Sequence, residues 1–229
     1  MLEDRLGQLE QIIGYCFRDR LLLRQALTHS SFSNEQKINR HPDYERLEFL
    51  GDAVLELISS DYIFHENPQM SEGELTKRRS SIVCEPALAF CARQIGLEQF
   101  IFLGKGEEGT GGRKRDSIIS DVMEAVIGAV YLDSGFDEAR KLIERFILSD
   151  LEHKQLFYDA KTILQEEVQR ENCGSIRYEL IREDGPEHDK NFVVEVLIGD
   201  RKEGTGSGHS KKAAEQQAAY AALLRRKKR

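Results

Sequence analysis

Four cysteines are the chain's whole stock of thiols, and no two form a CxxC pair. Cys16, Cys84, Cys91 and Cys173 have no histidine at zinc-site spacing, so they read as reduced thiols, and the six histidines show no ligand pattern either. His29 reads as structural. No apolar run approaches the roughly 18 residues that mark a membrane span. The opening MLEDRLGQLE lacks the basic-then-apolar order of a secretion signal. These absences lead to the expectation of a cytoplasmic protein with no membrane partner. No long low-complexity tract is present, and 229 residues with 40% hydrophobic content suffice for one ordinary domain and a small second one.

Positive charge is also in deficit. The net charge of −7 argues against a nucleic-acid partner until the chain is split. From Phe157 onward 14 Lys and Arg face 13 Asp and Glu, whereas 1–156 holds 19 against 27. The surplus of acid therefore lies in the first part, and local clusters matter more than the total.

Part of that surplus is ordered. In the segment DYERLEFLGDAVL, Glu45, Glu48 and Asp52 fall within about 60° of one another on a helix, while Leu47, Leu50, Val54, Leu55 and Ile58 form the core-facing arc. Like charges on one stripe repel unless a cation sits there. Some seventy residues on, SIISDVMEAVIGAVY (Ser117–Tyr131) is apolar or small almost all round, with Asp121 and Glu124 its only charged groups at neutral pH. Such a helix belongs inside, where unpaired carboxylates are costly. Gly128 falls on the same face and reads as room for an ion or substrate. Glu48, Asp52, Asp121 and Glu124 thus form a candidate all-oxygen site, suited to Mg²⁺ or Mn²⁺ and not to zinc. A single acidic pair taken alone is more often a solvated helix face.

The first part reads as helix after helix: Leu6–Ile13, Arg20–Leu27, Tyr44–Phe64, Ser71–Arg79, Glu85–Ile95, Ser117–Asp133 and Phe136–Leu151. Asp19, Ser71 and Ser117 are expected N-caps, and Gly96 and Gly135 expected stops. Between helices, GKGEEGTGG (Gly104–Gly112) reads as a loop. It contains GxGxxG, but Glu107 and Glu108 would face phosphates and no βαβ unit surrounds it, so no nucleotide cofactor is expected. The loop with Arg113-Lys114-Arg115 reads equally as an RNA-contacting strap or a solvated connector. After a flexible linker at 151–157 the pattern changes. Ala160–Glu171 reads as a helix, Arg177–Arg182, Phe192–Ile198 and Lys202–Gly206 as strands, and Ser210–Leu224 as an Ala-rich helix. A GxGxG-like turn (Gly204, Gly206, Gly208) precedes Ser210-Lys211-Lys212, where ammonium groups and free N–H groups at a helix start suit phosphates.

The run ERLEFLGDAVLE (Glu45–Glu56) resembles the signature of the ribonuclease III family. ALTHSSF (Ala26–Phe32), LTKRRS (Leu75–Ser80), LGKGEEGTGGR (Leu103–Arg113) and DVMEAVIGAVYLD (Asp121–Asp133) resemble further family blocks in the right order. The C-terminal third resembles a double-stranded RNA-binding domain. The resemblance implies an all-α nuclease domain at 1–150, the linker, an α-β-β-β-α domain at 158–226 and a basic tail at 227–229, an α+β multidomain chain. It also implies Mg²⁺-dependent hydrolysis of double-stranded RNA to 5′-phosphate and 3′-hydroxyl ends, in processing of ribosomal RNA precursors and other structured RNA. Glu48, Asp52, Asp121 and Glu124 match the family's metal carboxylates, Asp52 and Glu124 its catalytic pair, and Glu45 an acidic position at the site edge. Phe49, on the acidic side of its helix, matches a residue that fits a pocket on the partner of a homodimer. Gln165, Glu166, His188, Lys211 and Lys212 match RNA-contacting positions. The basic run RRKKR (Arg225–Arg229) reads as a disordered tail with affinity for phosphates. Small departures are Ser120, Val122 and Met123 in the second acidic block and His209 where arginine is frequent.

Overall fold

A computed structural model describes residues 2–36, 42–185, 190–208 and 210–227 of the chain, which divides into two compact units, Met1–Leu151 and Glu152–Arg229. The first unit is helical: α1 (Leu2–Ile13), α2 (Arg20–Ala26), α3 (Ser30–Glu35), α4 (Glu45–Glu66), α5 (Glu72–Val83), α6 (Glu85–Gln94), α7 (Lys105–Gly109), α8 (Asp116–Ser134) and α9 (Phe136–Ile143). A π-helical turn, Glu144–Leu148, extends α9.

The sequence of α8 dictates its place. It is apolar on nearly every side, and Ile118, Ile119, Val122, Met123, Val126, Ile127 and Val130 are all buried. Helices α2, α4, α6 and α9 surround it. Helix α4 turns Leu47, Val54, Leu55, Ile58 and Ile63 into the same core. Local signals fix the ends. Asp19 accepts from Leu21 N at 2.9 Å, Ser71 and Glu74 form a capping box, and Gly135 at φ 84° stops α8. Ser117 caps nothing: α8 begins one residue earlier, at Asp116, whose carboxylate pairs with Arg93 at 2.5 Å.

In the second unit α11 (Ala160–Glu171) and α12 (Lys211–Lys227) pack together against one face of an antiparallel sheet of β1 (Ile176–Asp184), β2 (Asn191–Ile198) and β3 (Arg201–Gly208), in that order. Tyr178 pairs with Val196, and Val196 with Gly204. Val194, Val196 and Ile198 meet Leu164, Val168, Ala214, Ala218 and Leu223 in a separate core. Gly204 and Gly206 are strand residues, not a turn. A methyl group at Gly206 would lie 2.2 Å from Ala218 N, so glycine on β3 and alanine on α12 let strand and helix touch backbone to backbone.

Three further expectations change. The Gly104–Gly112 segment is ordered as α7 with a 3₁₀ turn at Gly112–Lys114. Arg113 there pairs with Glu108 and donates to the carbonyls of Glu98 and Ile101, so it braces the segment. The 151–157 segment is helical, α10 (Leu151–Tyr158). The basic run is mostly helix: Arg225 and Arg226 belong to α12, and Arg226 bridges to Glu167 and Glu171. No disulfide joins the four cysteines. No helix among the described residues is long and apolar enough to cross a membrane.

Candidate functional site

Helices α4 and α8 carry the acids, and their separation is set by two glycines. A Cβ on Gly51 would lie 1.8 Å from the carbonyl oxygen of Glu124, and one on Gly128 would lie 2.3 Å from that of Leu47. The two backbones therefore touch where the carboxylates project. Gly128 makes room for the neighbouring helix, not for an ion or substrate.

This approach brings Glu48, Asp121 and Glu124 together, with one carboxylate oxygen from each within 4.8 Å of the others. All three are half-buried. Asp52, one turn along α4, is exposed and stands outside this compact trio, although its charge bears on Glu124. Glu45 is exposed at the edge and acts on Glu48 through its charge.

Among the described residues no lysine or arginine neutralises the cluster, in contrast to the buried Glu10, which Arg20 meets at 2.7 Å and Phe17 N at 2.9 Å. Burial, then the charges of Asp121, Glu45 and Asp52, pushes Glu48 up to about 7. Burial, then Asp52, Asp121, Glu48 and Glu56, pushes Glu124 up to about 8. Asp121 is raised by burial and by Glu85, against the opposing effects of a Tyr44 hydrogen bond and of His29. Asp52 is raised by burial and by Glu56. Carboxylates crowded on two half-buried helix faces, each raised by burial and by its neighbours, are a site that a hard divalent ion would satisfy. The donor set is all oxygen, which fits Mg²⁺ or Mn²⁺ chemistry.

Sequence reasoning passed over three contributors. Glu56 continues the acidic stripe one turn past Asp52, and its spacing was legible. Glu85 starts α6, and Tyr44 precedes α4; nothing in the sequence ties either to Asp121. Burial and the carboxylates Asp121, Glu48 and Glu45 raise the Tyr44 phenol well above its usual range, so it stays protonated.

Phe49 is 80% exposed, with Leu57 and Phe64 also exposed along α4. In the second unit Gln165 and Glu166 lie exposed on α11. Lys211 and Lys212 lie exposed at the start of α12, where Ser210 Oγ accepts from Ala213 N at 3.1 Å. His188 and His209 lie outside the described residues.

Carboxylates gathered on two core helices, followed in the chain by an α-β-β-β-α unit with lysines at a helix start, define a metal-site domain joined to a nucleic-acid-binding module. Known proteins match both halves. A family profile described as Ribonuclease-III-like matches residues 19–151, and one described as Double-stranded RNA binding motif matches residues 160–225. A protein named Ribonuclease 3 from Shouchella clausii is 48% identical, over 98% of this chain and 88% of its own length. Another of that name, from Caldanaerobacter subterraneus, is 50% identical over 95% of this chain and 96% of its own. The solved nuclease domain of ribonuclease III from Campylobacter jejuni, for which a region involved in dimer formation is described, covers 63% of this chain and 96% of its own at TM-score 0.58 and 42% identity. The chain belongs to the ribonuclease III family.

Proposed function

We propose that this chain is a homodimeric, Mg²⁺-dependent endoribonuclease of the cytoplasm. It cleaves double-stranded RNA to 5′-phosphate and 3′-hydroxyl ends, and it processes ribosomal RNA precursors and other structured RNA. The observation that carries this reading is the convergence of Glu48, Asp121 and Glu124, with no lysine or arginine among the described residues acting on them. Those three carboxylates hold the ion, and Asp52 completes the set from the neighbouring turn. Mg²⁺ held there would supply positive charge against the phosphate oxygens and lower the pKa of an attacking water, and Mn²⁺ would substitute. Asp52 and Glu124 are the catalytic pair, one of which would orient the attacking water. Glu45 tunes the rim of the site.

Duplex recognition falls to the second unit. The major groove of A-form RNA is too deep and narrow for side chains, so recognition uses phosphates and the 2′-hydroxyls of flanking minor grooves. Lys211 and Lys212 supply phosphate contacts, and Gln165 and Glu166 face one minor groove. His188 is assigned to the other on family resemblance alone. The exposed Phe49, Leu57 and Phe64 span about 80° of α4, an apolar strip that a second copy of the chain would cover. Pairing of that kind sets two centres on one duplex, one for each strand.

The test is incubation of a labelled RNA duplex, and separately of its single strands, with Mg²⁺ or with EDTA. Cutting of the duplex alone, only with Mg²⁺ and with 5′-phosphate products, is expected. A protein that binds the duplex and never cuts it is a binding regulator, and the proposed reaction is then wrong.

A further inference from the structure

Tyr44 is the last residue before α4, and it is fixed from several sides. Its N–H donates to Thr28 O at 2.9 Å. Its own carbonyl accepts from Leu47 N at 2.8 Å and from Glu48 N at 2.9 Å, joining it to the first turn of the acidic helix. The residue is only 4% exposed, and its ring lies 5.6 Å from the His29 ring, at 55° to it. His29 is itself held: its N–H donates to Phe102 O at 3.1 Å, and its Nδ1 meets Ser31 Oγ at 2.7 Å. From this mount the phenol oxygen reaches Asp121 Oδ2 at 3.3 Å, across to α8.

We propose that Tyr44 is a positioning residue of the metal centre: its hydroxyl holds the Asp121 carboxylate in the orientation that sets it against Glu48 and Glu124. The hydroxyl has no second partner among the described residues, and Asp121 receives no other side-chain hydrogen bond there. Without it, the repulsion within the trio favours rotation of Asp121 away from the other two carboxylates. A donor behind a metal-binding carboxylate fixes its rotamer before the ion arrives, and loss of such donors typically weakens metal binding by about 10–100-fold. The same geometry gives the ALTHSSF block a purpose: Thr28 supplies the backbone acceptor and His29 the ring against which Tyr44 is wedged.

The inference rests on the metal-site reading, and the test separates the two. Mn²⁺ is titrated into the unmodified chain, Tyr44→Phe, Asp121→Asn and the double variant, with free Mn²⁺ followed by electron paramagnetic resonance. Melting midpoints are recorded for each. Phenylalanine keeps the ring contact with His29 and every backbone bond, so Tyr44→Phe should melt with the unmodified chain. Its Mn²⁺ dissociation constant should rise about tenfold. The Mg²⁺ concentration for half-maximal duplex cleavage should rise by the same factor, with the rate at saturating Mg²⁺ within about twofold. In the double variant, loss of the hydroxyl should add nothing to Asp121→Asn. Weakened binding in Asp121→Asn with unmodified affinity in Tyr44→Phe, or full additivity in the double variant, overturns the role of Tyr44 and leaves the metal site standing. Unmodified affinity in Asp121→Asn overturns both.

Discussion

Replacing Gly51 by alanine should break the centre without touching a carboxylate. In an ordinary helix that change stabilises by up to about 1 kcal/mol, because alanine loses less backbone freedom. At Gly51 the new methyl would lie 1.8 Å from Glu124 O and 2.9 Å from Gly128 N, where ordinary contact begins at 3.4 Å. The helices must part locally by about 1.6 Å, the difference between the two values. Overpacking costs about 1–3 kcal/mol when side chains can yield. Here the obstacle is main chain on both sides, so a net loss of about 3 kcal/mol is expected after the helix gain. The oxygen struck belongs to Glu124 itself, so the displacement moves a member of the trio. Misplacement on the 1 Å scale costs on the order of 100-fold in rate. The control is Gly7→Ala in α1, where a Cβ meets nothing nearer than Arg20 Nη2 at 4.0 Å. It should gain about 0.5–1 kcal/mol. Urea unfolding of both variants and duplex cleavage in Mg²⁺ read out the pair. The same sign for both substitutions, or Gly51→Ala cutting within about twofold of the unmodified chain, would refute the reasoning.

Other consequences are as direct. Glu48 and Glu124 sit near 7 and 8 when folded against 4.5 ordinarily, so between those values the metal-free folded chain binds more protons than the unfolded one. Their contribution to stability is complete below about 4.5 and is lost as pH rises through 7 and 8. The melting midpoint in EDTA should therefore fall from about pH 6 to about pH 9, and added Mn²⁺ should raise it most at the alkaline end. A midpoint in EDTA that climbs across that range contradicts the shifts. Lys211→Ala and Lys212→Ala should each weaken binding to duplexes of any sequence and lower the salt slope by about one; an unchanged slope removes that lysine from the phosphate contacts. Phe49→Asp places a charge on an 80% exposed position, so helicity should persist while light scattering reports a monomer where the unmodified chain is a dimer. A dimer that survives the aspartate rules Phe49 out of the interface.

The elements with strong periodic or capping signals were legible in the sequence. The largely apolar α8 announced its burial, and the Ser71–Glu74 box marked the start of α5. The short α3 and α7 had no periodicity to read. The Gly-rich segment reads as a loop because its order comes from Arg113 reaching Glu98 O and Ile101 O, contacts that no local pattern encodes. At the candidate site the helical wheel grouped Glu48 with Asp52, but a wheel ignores the rise along the axis. The compact trio instead joins Glu48 to two members from α8, Asp121 and Glu124. Gly128 was read by the face it occupies, whereas its reason is Leu47 O, eighty-one positions earlier in the chain. Tyr44 shows the same limit: the chemistry of its hydroxyl depends on Asp121, which only the folded chain brings within reach.

The central claim is that four carboxylates make a metal-dependent centre for cutting duplex RNA, separate from the means of holding it. It is tested most directly by Glu124→Gln, which keeps the side-chain shape and removes one negative charge. Cleavage of a labelled duplex in Mg²⁺ is measured beside duplex binding in Ca²⁺. The expected result is cleavage reduced by at least about 100-fold, with the binding constant unchanged. Cleavage at the unmodified rate would contradict the assignment of the site.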